Sequence, residues 1–143
     1  MTPIEDVFNL MYGLITDSDL ARLSNEDLED LSITFLTYAI SRFKESKTDL
    51  EIIEDELGDK YFKNKLTNEE KVILAYGMLY AWLHHKVMYN RMLKNAINTK
   101  DFQQLSQANV LLRANELLDY TRKEFNRLRK AYSRRYDDFQ GWS

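Results

Sequence analysis

The stretch Val-Ile-Leu-Ala-Tyr-Gly-Met-Leu-Tyr-Ala-Trp-Leu at residues 72–83 carries no charged side chain and no polar face. A helix of this composition is apolar all round and must be covered on every side. Residues 67–70, Thr-Asn-Glu-Glu, precede it with the pattern of a capping box. The apolar run is too short to cross a bilayer. The sequence therefore predicts a buried central helix of a soluble bundle, over about residues 68–97.

Gly77 lies in the middle of this run, where glycine costs a helix roughly 0.5–1 kcal/mol relative to alanine. We expect glycine there because a second helix approaches closely and leaves no room for a Cβ atom. The sequence thus predicts a tight helix crossing at this position.

The composition suits a folded domain and is compatible with a reducing compartment. The chain has 143 residues, 44% hydrophobic and 30% charged, which suits one domain with a real core. It contains no cysteine, so disulfides, thiolate catalysis and Cys-ligated zinc are excluded. Residues 1–6 lack the basic start and apolar core of a signal peptide. We expect a cytoplasmic origin.

The charge is distributed unevenly along the chain. Residues 1–70 carry 17 acidic against 7 basic side chains, a net −10, whereas residues 71–143 carry 6 against 13, a net +7. Such asymmetry is typical of nucleic-acid binding, or of an acidic surface that meets a basic one on a neighbouring copy.

Helical periodicity dominates the chain and predicts an all-α fold. Apolar residues recur at helical spacing near the N-terminus, where residues 2–5 resemble a capping signal, and again over about residues 25–45 and 104–135. Strand signals are weak. We predict one domain over residues 1–143, a small helical bundle with a central buried helix, one long C-terminal helix and extended terminal segments. Its parts are an N-terminal arm (1–20), a helical core (21–135) and a C-terminal tail (136–143).

Residues 46–66 form the least helical part of the chain and its most acidic one. The acidic run includes Glu51, Glu54 and Asp55, with Gly58 as an interruption. No register in it matches the ligand spacing of a calcium-binding EF-hand loop. We interpret it as a solvated acidic loop or a surface that faces a partner.

The long C-terminal helix carries an apolar seam on one side and a basic stripe on the other. The seam alternates spacings of three and four, as in a coiled coil, and comprises Leu111, Ala114, Leu118, Thr121, Phe125, Leu128 and Tyr132. The basic stripe comprises Lys123, Arg127, Lys130 and Arg134. It could be a solvated face, a phosphate-binding surface, or the partner of an acidic region on an adjacent subunit. The net −10 of residues 1–70 favours subunit pairing over tight DNA binding, because that charge repels a duplex.

The C-terminal tail places Tyr136, Phe139 and Trp142 in a segment that we expect to be irregular. Large aromatic side chains at a chain end either fold back on their own domain or insert into a pocket of a neighbour, where such residues carry much of the interface energy. We favour the neighbour.

No pattern in the sequence indicates catalysis, a cofactor or a metal. His84 and His85 are adjacent, so on a helix they point about 100° apart and do not chelate one ion as an i, i+4 pair does. Neither a G-x-S-x-G nor a phosphate-cradling glycine loop occurs. We therefore expect a protein that is not an enzyme and binds no cofactor.

Several short motifs, spread over roughly residues 20–135, resemble one known family. They are AISRFK at 39–44, LTNEEKVILA at 66–75, Met78 with Trp82-Leu83, SQAN at 106–109 opening a long helix, and YSRR at 132–135 closing it. Together they are similar to the small head–tail connector proteins of tailed bacteriophages, also called neck or adaptor proteins.

This resemblance implies a structural protein of the virion that acts by assembly. The family implies a ring, usually of twelve copies, that docks beneath the portal protein, extends the DNA channel and carries the next neck or tail component. Double-stranded DNA would pass through the lumen without specific binding. The expected location is the virion neck, after assembly in the host cytoplasm. The family has no catalytic residues to carry over to this chain.

Two other functions remain open from the sequence. One is a helical nucleic-acid-binding regulator that uses the basic stripe. The other is an adaptor directed at a host protein, which differs from a connector only in the partner it binds.

Overall fold

A computed structural model of the chain describes residues 1–15, 31–96 and 101–140, with side chains over 1–15, 31–88 and 112–135. The elements in chain order are β1 (Thr2–Pro3), α1 (Ile4–Leu14), the helical residues 31–42 (α2), β2 (Ile52–Glu54), β3 (Lys60–Phe62), α3 (Asn68–Ala96) and α4 (Asp101–Gln140). The fold is mostly helical, as predicted. It is not purely all-α, because the three strands form a small antiparallel sheet.

The central helix, α3, has the predicted extent and start. The Thr67 N–H donates to Glu70 Oε1 at 2.9 Å, and the Glu70 N–H donates to Thr67 Oγ1 at 3.1 Å. Both bonds of the capping box are therefore present. No residue between 72 and 83 is exposed, and Trp82 is 0% exposed. The apolar run is thus buried over most of its circumference, as predicted, but Val72, Tyr76, Tyr80 and Ala81 remain partly exposed.

Gly77 marks the predicted helix crossing. A Cβ atom built on Gly77 would lie 2.8 Å from Ala39 Cβ on α2 and 3.0 Å from Phe125 Cζ on α4. Both distances are well inside van der Waals contact. Three helices therefore meet at this glycine, and the expectation of close approach is confirmed.

The sheet lies in the region where we predicted a loop. The strand order is β1-β3-β2, with Ile53 opposite Tyr61 and Thr2 opposite Phe62. The β2–β3 connection is a five-residue turn that contains Gly58 at φ 86°, a left-handed conformation that favours glycine. Residues 46–66 are therefore non-helical, as predicted, but the interpretation as an irregular loop is wrong for the part that forms the hairpin.

The N-terminal segment packs into the core instead of extending from it. The predicted cap at Thr2 is wrong: α1 begins at Ile4, and its preceding residue Pro3 is extended, with no side-chain cap. The Thr2 hydroxyl instead accepts a hydrogen bond from the Leu66 N–H at 3.0 Å, because Thr2 pairs within the sheet. Val7 and Met11 of α1 are buried in the core.

The long helix α4 spans 40 residues, about 60 Å, which is longer than predicted. Its seam is confirmed where side chains are described, since Ala114, Thr121, Phe125 and Tyr132 are all buried. The backbone remains helical to Gln140, so the expected irregular tail is wrong for residues 136–140. The predicted helix over about residues 25–45 begins outside the described residues. The sequence also predicts a break at residues 98–101; residues 98–100 lie outside the described residues, and Asp101 already belongs to α4.

A buried hydrogen-bond network fixes α4 against α3 and the segment after α2. The Tyr132 hydroxyl donates to Glu70 Oε2 at 2.8 Å and accepts from the Lys47 N–H at 2.8 Å. Burial raises the pKa of the Glu70 carboxyl, but hydrogen bonds from the Thr67 backbone and from the side chains of Thr48, Tyr132 and Thr67 outweigh it and lower the pKa below its usual value. The orientation of the exposed face of α4 is thus set by polar contacts as well as by the apolar seam.

Candidate functional site: a basic groove and an acidic hairpin

The basic stripe of α4 lines an open groove of about 520 Å³. The described residues that line this basic groove are Lys123, Asn126, Arg127, Lys130, Ala131 and Arg134. All four predicted cations therefore lie together on one exposed face. The sequence did not predict that they border a concavity, nor that Ala131 gives it a small apolar surface.

The four cations of the groove differ in their partners. Lys123 Nζ lies 3.0 Å from Asp119 Oδ2. Arg127 makes a two-point contact with Glu124, at 2.9 and 2.8 Å. This hydrogen bonding holds the pKa of the Glu124 carboxyl below its usual value. Lys130 and Arg134 have no ion pair with any other residue that the structure describes.

The pairs within α4 are exposed, so each contributes little to stability and gives way readily to another partner. Arg127 is 63% exposed in its pair, and Lys123 is 70% exposed. Surface ion pairs of this kind are worth about 0–1 kcal/mol. An incoming anionic group can therefore replace the partners of Lys123 and Arg127 with little loss of free energy from the broken ion pairs.

Other basic residues of α4 serve the packing of the subunit itself. The Arg129 guanidinium lies 4.3 Å from the Phe125 ring centroid and donates to the Arg42 carbonyl oxygen at 2.8 Å. It also lies 3.6 Å from Glu45. Arg135 bonds to Glu69 at the start of α3. The net charge of the second half of the chain thus overstates the charge available to a partner, because Arg129 and Arg135 contact their own subunit.

The predicted acidic surface is a β-hairpin, formed by β2, β3 and a tip at residues 55–59. Glu51 and Glu54 are exposed, as is every residue of the tip. Glu51 lies 3.7 Å from Lys63. The tip also presents Leu57, which is 87% exposed and is the most exposed of the large apolar side chains described. Sequence reasoning missed Leu57, although an apolar residue between Glu56 and Gly58 in a turn was a usable signal.

The acidic hairpin and the basic groove belong to elements that do not pack extensively against each other within the described residues. The core helix α3 packs against both α1 and α4. The sheet packs with α1. No ion pair joins the hairpin to α4 within the described part of the chain. The two oppositely charged surfaces therefore do not neutralise each other within one copy.

The two histidines take part in aromatic contacts. The centroid of the Tyr80 ring lies 6.0 Å from that of His84 and 6.0 Å from that of Tyr38. The centroids of the Phe35 and His85 rings are 5.9 Å apart. Across the described residues, no group of three or more His, Asp or Glu side chains is placed to hold a metal ion. The absence of catalysis and cofactors stays a prediction.

The aromatic tail is only partly described. Tyr136 and Phe139 lie on the last turns of α4, in the backbone that continues to Gln140, and their side chains fall outside the described part. Trp142 lies outside the described residues altogether. Their role as interface anchors stays a prediction.

None of the described helices is long and apolar enough to span a membrane. Comparison with protein families, curated proteins and solved structures finds no match for this chain.

Proposed function

We propose that this chain is a structural subunit of a tailed-phage head–tail connector, which joins capsid to tail and extends the DNA channel as a ring. The sequence resemblance motivates the proposal. The observation that supports it in the structure is the presence of an exposed acidic hairpin and an exposed basic groove on one subunit, with no ion pair between them among the described residues. Such a subunit attracts copies of itself through unlike surfaces.

Contact between unlike surfaces has a definite geometric consequence. A head-to-tail interface is heterologous, and its repetition closes into a ring when the rotation between copies allows it. The resemblance implies twelve copies, with the portal protein above and a downstream neck or tail protein below. DNA then passes through the lumen, and no residue of the subunit performs chemistry.

Deletion of the coding sequence from the source genome tests this function. We expect particles that package DNA but lose it or lack tails, because the channel below the portal is not completed. Electron microscopy of purified particles measures both outcomes. Restoring the wild-type gene on a plasmid is the control. Normal infectious particles from the deletion strain contradict the proposal.

Direct DNA binding is the second candidate, and it is favoured by Lys130 and Arg134, which lack ion pairs within the described residues and border the basic groove. A regulator that binds duplex DNA through the four cations of the groove would lose affinity about 150-fold between 50 and 200 mM salt, because each phosphate contact adds about 0.9 to the slope of log affinity against log salt. Fluorescence anisotropy with a labelled duplex measures this dependence.

The matched variants separate the two functions. A K130E/R134E variant reverses two charges in the groove, and a K44E/K65E variant reverses two exposed charges away from it. A DNA-binding regulator loses duplex affinity only in the groove variant. For a connector, both variants leave the weak duplex affinity similar, and only the groove variant fails to complement the deletion strain.

A further inference from the structure

The subunit contains both halves of a specific contact between copies. We infer that the hairpin tip of one copy docks in the basic groove of a second copy of this chain, with Leu57 as its apolar anchor. This inference rests on the proposed function, because it supplies the contact that repeats around the ring.

The tip is held rigid before any partner binds. Asp55 Oδ1 accepts hydrogen bonds from the Leu57 N–H and the Asp59 N–H, both at 2.9 Å. The Asp55 N–H donates to the Asp59 carbonyl oxygen at 2.9 Å, and the Gly58 N–H donates to the Asp55 carbonyl oxygen at 3.1 Å. A loop that is already ordered loses little conformational entropy on docking.

The ordered turn holds a large apolar side chain in water. Leu57 is 87% exposed, whereas the apolar side chains of the strands beside it are partly or fully buried. It therefore adds nothing to the core of its own subunit. An apolar residue at the centre of a patch, ringed by charged ones, is the arrangement of an interface anchor with a polar rim.

The groove complements the tip in charge and in its apolar centre. Glu56 and Asp59 are exposed on the tip and have no ion pair with other described residues. Lys130 and Arg134, at the groove, are likewise exposed and have no ion pair with other described residues. Pairing the two sets therefore breaks no existing bridge, and Ala131 offers Leu57 a small apolar surface between the cations.

The contact forms between copies. Within one subunit the sheet packs with α1 while the groove lies on α4, and no ion pair joins the hairpin to α4 among the described residues. Each copy therefore presents one tip and one groove, in which Lys130 and Arg134 have no ion pair with another described residue. Successive copies joined in this way form a chain that can close on itself.

The lack of native cysteine permits a clean crosslinking test. A purified full-length L57C/A131C double variant, oxidised at high protein concentration, should form a ladder of disulfide-linked oligomers on a denaturing gel. A mixture of the two single variants should stop at dimers, because each copy then has only one reactive end. Circular dichroism establishes that each variant is folded.

The matched control moves the groove cysteine along the same helix. Glu116 is exposed on α4 and lies outside the groove, so an L57C/E116C variant should crosslink at least tenfold less. Raising salt to 1 M shortens the Debye length to about 3 Å and should lower the yield of the ladder severalfold. Equal yields from the two double variants, or no ladder from L57C/A131C, would overturn the docking.

A charge exchange tests the pairing independently of cysteine geometry. Adding K130E/R134E to the crosslinking variant should abolish the ladder, and further adding E56K/D59K should restore it. Failure of the restoration in folded protein contradicts the pairing. If particles carry the ring but the ladder is absent, the docking is wrong and the connector function stands. If the ladder forms but deletion leaves particles normal, the docking stands and the connector function is wrong.

Discussion

Replacing Gly77 with alanine tests the three-helix crossing at the centre of the subunit. The new methyl carbon would lie 2.8 Å from Ala39 Cβ, 3.0 Å from Phe125 Cζ and 3.2 Å from Ala39 Cα. The Phe125 ring end can shift, but Ala39 Cα is backbone and moves only with α2. The substitution therefore forces a helix displacement as well as a side-chain adjustment.

The expected magnitude follows from two opposing terms. Alanine favours the helix over glycine by about 0.8–1.0 kcal/mol. Overpacking a well-packed core costs about 1–3 kcal/mol, and the backbone contact places this site in the upper part of that range. We expect G77A to lower the free energy of unfolding by about 1–2 kcal/mol. With a typical urea slope, the unfolding midpoint falls by about 0.5–1 M.

Gly13 supplies the matched control. It lies in α1, and a Cβ atom there would meet nothing within 4 Å. G13A should therefore leave the protein as stable as the wild type or more stable, by up to about 1 kcal/mol. Urea unfolding followed by circular dichroism measures both variants. A G77A protein as stable as the wild type would refute the packing at the crossing, as would the absence of any recovery when A39G is added to it.

Three further predictions concern buried polar contacts. Y132F removes the hydroxyl that bonds to Glu70 and to the Lys47 N–H. Urea unfolding should show that it lowers the free energy of unfolding by about 1.5–3 kcal/mol, whereas Y120F, at an exposed site, should lower it by almost nothing. Equal effects of the two substitutions would contradict the buried hydrogen bonds. T2V leaves the buried Leu66 N–H without its acceptor. It should lower the free energy of unfolding by about 1–3 kcal/mol and speed hydrogen exchange of the Leu66 amide. Unchanged exchange would argue against the hydrogen bond from the Leu66 N–H to the Thr2 hydroxyl. The pKa of Glu70 is lowered in the folded state from its ordinary 4.5, so its stabilising effect is complete above that pH and is lost as pH falls through the lower folded pKa. The stability difference between wild type and E70Q should therefore narrow as pH falls below 4.5, and a constant difference would contradict the lowered pKa.

The helical part of the fold could be predicted because its signals are long and redundant. The apolar run at 72–83, its capping box at Thr67 and Glu70, and the seam of α4 each span several turns. Gly77 could be interpreted because a glycine inside an otherwise strong helix requires a steric reason. These features are local, so one sequence suffices to recognise them.

The sheet could not be predicted in the same way. Each strand has only two or three residues, too few to show an alternating pattern. β1 lies at the N-terminus and pairs with β3 at Lys60–Phe62, so this pairing is set by tertiary contacts between residues distant in sequence. The prediction of a helix cap at Thr2 is wrong for this reason. The same Thr-Pro-Ile-Glu pattern suits a helix cap or an edge strand, and here the Thr2 hydroxyl accepts a hydrogen bond from the Leu66 N–H instead of capping α1.

The residues of the two candidate surfaces could be predicted from the sequence, but the shapes of those surfaces could not. Helical spacing alone placed Lys123, Arg127, Lys130 and Arg134 on one face, and charge counting marked Glu51, Glu54 and Asp55 as a surface. The groove lies between side chains of α4 alone, and its shape depends on their conformations, which spacing does not contain. The exposure of Leu57 depends on the fold of the hairpin turn, which spacing does not contain either.

Electron cryomicroscopy of the head–tail junction of particles produced from the source genome tests the proposed connector function most directly. We expect a closed ring of copies of this fold beneath the portal, with the hairpin of each subunit against α4 of the next. A junction that contains no copy of this fold would contradict it.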